Sequence, residues 1–450
     1  MNAITDIERP ISDRPISDRP VVIGVEPYVS QAYARAENDR LWGRVWQVAC
    51  REEEIAKVGD YVTYDILDES IVVVRTAADR ISAYYNVCQH RGRRLTEGCG
   101  HTKRFVCRFH GWKWSLDGEN VEALAREDWE GVLTDENIRL KSVKVETWGG
   151  WVFVNMDPDS ESLADYLAPA AQWLDPFELD RMRYRWRQWL TFPSNWKIAI
   201  EAFVEGYHVP GTHPQLTKYG SKSTWSKAHG PHSCFGPAST KGFGGATGGA
   251  SEAPDMRLAL AEVVSQLWDE VNATTTQTIV DAARRLKDEL PADTPPAQVQ
   301  GYLMMRAMQD DAARGVIWPK IDPAHFAEAG TVWHLFPNTV VIQGPTFALC
   351  YRARPNGYDP DSCIFEVYVL ERFPEGQAPR VENVYVPIED EAAWRKVLGQ
   401  DFANMGEVQR GVKSRGFQGP RPNPVQERGV TNFHRVLAEY MGSGAPQPLA

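Results

Sequence analysis

Two pairs of residues constrain this chain more tightly than any other feature. Cys88-Gln-His90 and Cys107-Arg-Phe-His110 each join one sulfur to one imidazole, and residues 91–106 separate the pairs. Each pair is a claw whose two donors can converge on a single centre, and the apolar runs around the claws would hold them opposite each other. Two thiolates and two imidazoles can hold one zinc ion, but zinc fingers usually put both cysteines in one claw and both histidines in the other. One sulfur and one nitrogen per claw suits a [2Fe–2S] cluster with two cysteines on one iron and two histidines on the other. Zinc, and chance placement in a β-rich stretch, are the competing readings at this point.

The texture around the claws is β. From about 43 to 155 run short segments rich in Val, Ile, Tyr, Phe and Trp: 62–67, 71–75, 81–87, 105–113, 140–146 and 150–155. Turn formers such as AADR and LDGEN separate them, which predicts a small sandwich or barrel. Ahead of this region, ISDRP occurs at 11–15 and again at 16–20 and predicts a flexible arm; a helix carrying Tyr33, Leu41 and Val45 follows. After Asp157 the pattern changes to α+β. Helices are expected over 163–174, 195–209, most of 254–315, 389–409 and 433–441, and strands over 184–192, 331–344, 347–354 and 364–372. The Gly-rich stretch 235–253 predicts a mobile loop and lacks the strand and spacing of a phosphate-binding turn. Three parts are expected: an arm and helix at 1–42, a β domain at 43–157, and an α+β domain at 158–450.

A second set of donors lies in the α+β part, in Asn195-Trp-Lys-Ile-Ala-Ile-Glu-Ala-Phe-Val-Glu-Gly-Tyr-His-Val-Pro-Gly-Thr-His213. At helical spacing Glu201, Glu205 and His208 share a face. Pro210 and Gly211 are expected to break the helix, letting His213 swing back towards His208. A histidine pair alone is more often part of a core. The stripe Trp394, Val397, Leu398, Met405 and Val408 adds a third donor, because Asp401 falls in its middle. A carboxylate facing a core is costly unless it is paired or binds metal. Two histidines and one carboxylate form the facial triad of non-haem Fe(II) oxygenases; a buried salt bridge or helix cap is the alternative for Asp401.

Composition narrows the partners. The formal charge of −11 argues against nucleic acid. Locally the sign reverses: Arg91, Arg93, Arg94, Lys103, Arg104, Arg108 and Lys113 face one acid, Glu97, leaving +6 over residues 88–113. That segment either docks an acidic electron carrier or offsets the charge of a bound cluster. No apolar run approaches the roughly 20 residues of a membrane helix, and the N-terminus lacks a basic segment followed by an apolar one. A cytoplasmic protein without a membrane partner is expected. Seven cysteines and no secretory signal argue against a disulfide scaffold.

The runs Asn86-Val-Cys-Gln-His-Arg-Gly92 and Cys107-Arg-Phe-His-Gly-Trp112 closely resemble Rieske cluster loops. With E-x-x-x-E-x-Y-H-x-x-x-x-H at 201–213, Asp401-Phe-Ala-Asn404 in a D-x-x-N pattern and QRGVKSRGFQGP at 409–420, the chain from about 40 to 441 resembles the α (catalytic) subunit of Rieske non-haem iron ring-hydroxylating oxygenases. The resemblance implies an α+β fold: a small all-β Rieske domain and a helix-grip (START-like) antiparallel-sheet catalytic domain, with the N-terminal helix packed on the latter. It implies a [2Fe–2S] cluster on Cys88, His90, Cys107 and His110, and mononuclear Fe(II) on His208, His213 and Asp401. Glu205 stands where the family commonly has a bridging Asp that links His208 to a cluster histidine, here His110, of a neighbouring subunit. Two other departures are Arg108, often proline, and Ala202, Asn in some members. The implied activity is O2-dependent hydroxylation or cis-dihydroxylation of an apolar, aromatic or polycyclic substrate, with electrons from NAD(P)H delivered by a reductase or ferredoxin. The alternative is monooxygenation, such as demethylation, of a terpenoid, steroid or amine. A homotrimer is implied, alone or with a small β subunit as α3β3. Residues 220–330 are the candidate substrate-access region. Phe203, Val204, Val209, Trp333, Phe336 and Phe347 are read as core residues first and as pocket walls second.

Overall fold

A computed structural model describes residues 19–218, 222–238 and 255–449. The ISDRP repeat at 11–20 lies almost wholly outside these residues, and so does most of the Gly-rich stretch. The chain divides into two compact units, one over residues 35–167 and one formed by the described residues before 35 together with those from 168 onward.

The unit over 35–167 is built on a seven-stranded antiparallel sheet in the order Gln47–Arg51, Trp151–Asn155, Ser142–Trp148, Arg80–Tyr85, Glu69–Ala77, Asp60–Ile66, Cys99–His101. The run Ile71-Val-Val-Val74 is fully buried, as its unbroken β-branched character requires of a central strand. A second sheet of Phe105–Val106, Lys113–Trp114 and Asn120–Glu122 carries the second claw. The sequence suggested one strand over 105–113; the chain instead makes two short strands with a loop between them. Val72, Val74, Tyr84, Phe105, Trp112 and Trp114 form the core beneath both claws.

The other unit centres on an eight-stranded sheet in the order Thr224–His229, His232–Pro237, Val332–Leu335, Thr339–Gln343, Phe347–Pro355, Cys363–Glu371, Arg183–Phe192, Val384–Tyr385. Neighbours are antiparallel except the last pair. The helix Trp196–Glu201 packs on the strands Phe347–Pro355 and Cys363–Glu371, and the helix Glu391–Gly411 packs on it in turn. An aromatic seam joins these layers: Phe203 stacks on Tyr351 at 3.9 Å, Phe365 lies 5.9 Å from Phe402, and Phe402 lies 5.1 Å from Trp394. The helix Arg428–Met441 covers the Thr224–Pro237 hairpin. This is the mixed α+β fold expected, a small β unit and a larger unit in which helices pack on a mostly antiparallel sheet.

Several local expectations change. The stretch 220–330 is largely regular where described: the hairpin is followed by helices Met256–Glu270, Gln277–Glu289 and Pro296–Ala313, which share their own apolar core. The expected strand over 331–344 is two strands joined by a turn. Val408 is exposed, not part of the buried stripe. Arg395 has φ of 63° and interrupts the last long helix, so Trp394 does not set the register of Asp401; Val397, Leu398 and Met405 do, and all three are buried. No described helix is long and apolar enough to cross a membrane.

Candidate metal centres

The two claws are the same loop used twice. Cys88 N–H donates to Arg93 O at 2.8 Å and Cys107 N–H donates to Trp112 O at 2.8 Å. Gly92 N–H donates to Cys88 O and Gly111 N–H to Cys107 O, both at 3.0 Å. Every partner recurs nineteen positions later, so the loops have equal length although the histidine sits at the second position after one cysteine and the third after the other. Gly92 and Gly111 have φ of 72° and 74°, the left-handed region that side chains resist. A Cβ at either would meet nothing within 4 Å. Conformation, not close backbone approach, therefore demands glycine here.

The loops bring all four donors together. Cys88 and Cys107 are buried, and the His90 and His110 rings lie 4.6 Å apart. Burial raises the Cys88 thiol pKa; the His90 backbone N–H points at the sulfur and opposes that rise, and the adjacent Cys107 thiol adds to it. His90 stacks on buried Trp112 at 4.9 Å and 10°. Nδ1 of both histidines is buried without a hydrogen-bond partner. Leaving two imidazole nitrogens so exposed to desolvation is costly unless they ligate metal. On the outer side, Phe109 is 54% exposed beside His110, with the Arg91 guanidinium 5.3 Å from its ring. A cleft of about 670 Å³ nearby is lined by Arg93, Arg94, His101, Arg104 and Arg108 against Glu97.

The second centre starts from the helix Trp196–Glu201, which Asn195 caps by accepting from Lys197 N–H at 3.1 Å. Continuous helix through Glu205 to His208 was expected; the helix ends at Glu201. Gly206 lies against the hairpin, and a Cβ there would sit 2.7 Å from Thr224 Cγ2. Glu205 Oε2 accepts the backbone N–H of Tyr207 and of His208, which shapes the turn, while Oε1 lies 2.7 Å from His208 Nδ1. Pro210 and Gly211 then lie inside a short helix, Val209–Thr212, that delivers His213. The interruption of the helix thus falls before His208, not between the histidines.

His213 Nε2 lies 2.8 Å and His208 Nε2 3.7 Å from the same oxygen, Asp401 Oδ1. One donor atom from each of the three residues falls within 4.8 Å of the others. A carboxylate oxygen accepts, so Glu205 Oε1 suits a His208 tautomer with its hydrogen on Nδ1 and Nε2 left to ligate. Burial works against a charged His208, but Glu205 and then Asp401 outweigh it and leave its pKa raised.

The comparisons with known proteins cover the units that carry both sets of donors. Residues 45–138 match the family described as Rieske [2Fe-2S] domain, and residues 179–443 match Ring hydroxylating alpha subunit (catalytic domain). The chain belongs to the ring-hydroxylating α-subunit family. The carnitine monooxygenase oxygenase subunit of Escherichia coli K12 is 32% identical over 212 residues, 45% of this chain and 55% of that protein. The biphenyl 2,3-dioxygenase subunit alpha of Rhodococcus jostii is 32% identical over 197 residues, 42% of each chain. The aligned stretch thus spans about half the length of these curated relatives. A quaternary ammonium Rieske monooxygenase in complex with L-carnitine shares the fold, with a TM-score of 0.63 at 19% identity over 94% of this chain and 96% of that one.

In this ring-hydroxylating α subunit the donor sets fit the metals of the family: two thiols and two unpartnered imidazoles in one unit, two imidazoles and a carboxylate in the other. Residues that the sequence did not single out surround the second set. Gln400 holds His213 Nδ1 at 2.9 Å. A pocket of about 390 Å³ beside His208 and Asp401 is also lined by Glu201, Glu205, Arg421 and Glu427. Burial pushes the Glu427 carboxyl up to about 7, against the hydrogen bond from Asn423 N–H; Glu205 and Glu201 add to the rise. Glu201 meets His434 Nε2 at 2.6 Å, and Tyr28 OH lies 2.7 Å from the same nitrogen. Tyr28, Glu427 and His434 carry no motif signal; only tertiary packing brings them here. Of the six residues proposed as core or pocket wall, none lines this pocket among the described residues. Phe203, Val204, Trp333 and Phe336 are core, Val209 is half-buried, and Phe347 packs against the three-helix core.

Proposed function

We propose that this chain is the terminal oxygenase component of a Rieske oxygenase system. The observation that carries the reading is the convergence of His208, His213 and Asp401 within 4.8 Å in a chain that also carries the paired Cys/His loops. In this reading Cys88, His90, Cys107 and His110 hold the [2Fe–2S] cluster, and His208, His213 and Asp401 hold ferrous iron. When bound, the cluster supplies single electrons and the iron activates dioxygen. Glu205 orients His208 through Nδ1, and its Oε1 keeps acceptor capacity for His110 of a neighbouring copy in a closed ring of three. The basic cleft beside the claws steers an acidic ferredoxin or reductase that carries electrons from NAD(P)H.

For the substrate we favour an amine over the apolar aromatic that the resemblance put first. Two features support this: the relatives named for carnitine and glycine betaine, and the excess of carboxylates over cations around His208. Such surroundings favour a cation over a neutral hydrocarbon. Hydroxylation or cis-dihydroxylation of an aromatic ring is the second reading, resting on the similarity to biphenyl dioxygenase.

The test is the visible spectrum and turnover of the purified protein. A cluster absorption band and substrate-dependent oxygen uptake with a reductase are expected; a colourless iron-free protein would sink the oxygenase reading. Oxygen uptake with carnitine or glycine betaine, but not with biphenyl, supports the amine reading, and the reverse supports the aromatic one.

A further inference from the structure

His208 and His213 are held at Nδ1 by chemically different partners, and the second partner has no part in the reading above. Resting on that reading, we infer that Gln400 is a positioning residue for the mononuclear centre, its side-chain oxygen fixing the His213 ring so that Nε2 is the ligating atom.

Consecutive residues of one helix grip both nitrogens of this ring. Gln400 Oε1 lies 2.9 Å from His213 Nδ1, and Asp401 Oδ1 lies 2.8 Å from His213 Nε2. A metal held at Nε2 leaves the ring hydrogen on Nδ1, where only an acceptor can meet it. The Gln400 amide must then present its oxygen. Gln215 Nε2 donates to the same oxygen at 2.8 Å, using its second lone pair and holding the amide in that orientation. Asn404, one turn further along the helix, lies 3.2 Å from Gln400 O and 3.3 Å from Thr212 Oγ1. The helix is therefore tied to the His213 segment on both sides of the histidine.

The chemical consequence is an unequal pair. Glu205 meets His208 with a charged carboxylate, which raises the basicity of that imidazole. Gln400 orients His213 as firmly without a charge. Asp401 and Glu205 already supply two negative groups, and an amide at 400 fixes the second ring without a third.

The test uses the full chain with its cluster in place, and reads iron retention against a ferrous chelator and the electron paramagnetic signal of the ferrous iron with nitric oxide. Gln400→Leu is expected to weaken iron retention about 10- to 100-fold, with the cluster absorption unchanged and the thermal midpoint unchanged when both proteins are compared without the mononuclear iron. Gln400→Glu restores an acceptor; it is expected to recover retention and to shift the nitric oxide signal through the added charge. Gln215→Leu is expected to weaken retention less than Gln400→Leu. Wild-type retention and an unchanged signal in Gln400→Leu overturn the inference. So does equal iron loss in Gln400→Leu and Gln400→Glu, which would mean a purely structural role. His213→Ala and Asp401→Ala separate the two levels: if these keep their iron the metal assignment itself fails, and if they lose it while Gln400→Leu keeps it, only the role of Gln400 fails.

Discussion

The region around Cys88 and Cys107 and the region around His208 reach their geometry by different routes. All four donors of the first lie within residues 88–110, in two loops closed by the same pair of backbone hydrogen bonds. In the second, Asp401 is 188 positions from His213, and the helix Glu391–Gly411 brings it in by packing on the helix Trp196–Glu201. Local closure makes a centre robust to changes elsewhere. Assembly by packing makes a centre that responds to its surroundings, which suits the substrate site proposed for it.

The largest expected effect separates the regions outright. Cys107→Ser should remove the cluster absorption and all turnover, because the loss of one thiolate leaves an incomplete ligand set. His208→Ala should keep the full cluster spectrum, lose one iron per chain and fall to background turnover. If His208→Ala also bleaches the cluster, the two centres are not independent and the comparison fails.

Next in size is Glu205→Gln, which keeps the shape and removes the charge next to His208. Both metals should stay bound while the single-turnover rate falls about 10- to 100-fold. An unchanged rate would withdraw the bridge assignment and leave Glu205 as the cap of the Tyr207–His208 turn.

Acid should reach the packed region before the local one. His334 is fully buried in the sheet beside His232, with Nε2 3.1 Å from Pro337 O. Burial holds its pKa down to about 3, against the hydrogen bond to Pro337; His232 adds to the depression. Unfolded, it would protonate near 6.5. The folded pKa is the lower one, so the unfolded chain binds the extra proton. This group leaves stability untouched above about pH 6.5 and removes about 1.4 kcal/mol per pH unit as pH falls from there towards 3. Thermal midpoints across that range, with iron release and cluster absorption followed together, should show iron leaving first. A His334→Gln variant with the wild-type slope would take His334 out of the account.

What the sequence disclosed follows the same division. The convergence of Cys88, His90, Cys107 and His110 and the β texture around them were readable because spacing along the chain sets the loops. Asp401 was readable because Val397, Leu398 and Met405 mark a buried face, although Arg395 cuts the register from Trp394. The end of the helix at Glu201 was not: Gly206 against Thr224 and the Glu205 cap decide it, and neither contact leaves a spacing signal in the sequence. Gln400, Glu427 and His434 were silent for the same reason. A glutamine beside an aspartate looks like any polar helix residue until His213 and Gln215 arrive on its oxygen.

Glycine offers the finest comparison of the two regions, because its cause differs between them. At Gly206 a Cβ would meet Thr224 Cγ2 at 2.7 Å and Phe235 at 3.1 Å. Gly206→Ala should therefore disturb the turn carrying His208 and cost about 1–3 kcal/mol through overpacking, read as a lower thermal midpoint and weaker iron retention with the cluster spectrum intact. At Gly92 and Gly111 space is open and only positive φ resists substitution. Alanine at either should cost about 1–2 kcal/mol of local strain, leave the catalytic iron untouched, and shorten the lifetime of the cluster band on heating. Because the two loops share one hydrogen-bond pattern, the two substitutions should shorten it by similar factors. Lifetimes differing by more than about tenfold, or about 1.4 kcal/mol, would show that the histidine offset between the claws reaches the backbone and that the loops are not equivalent.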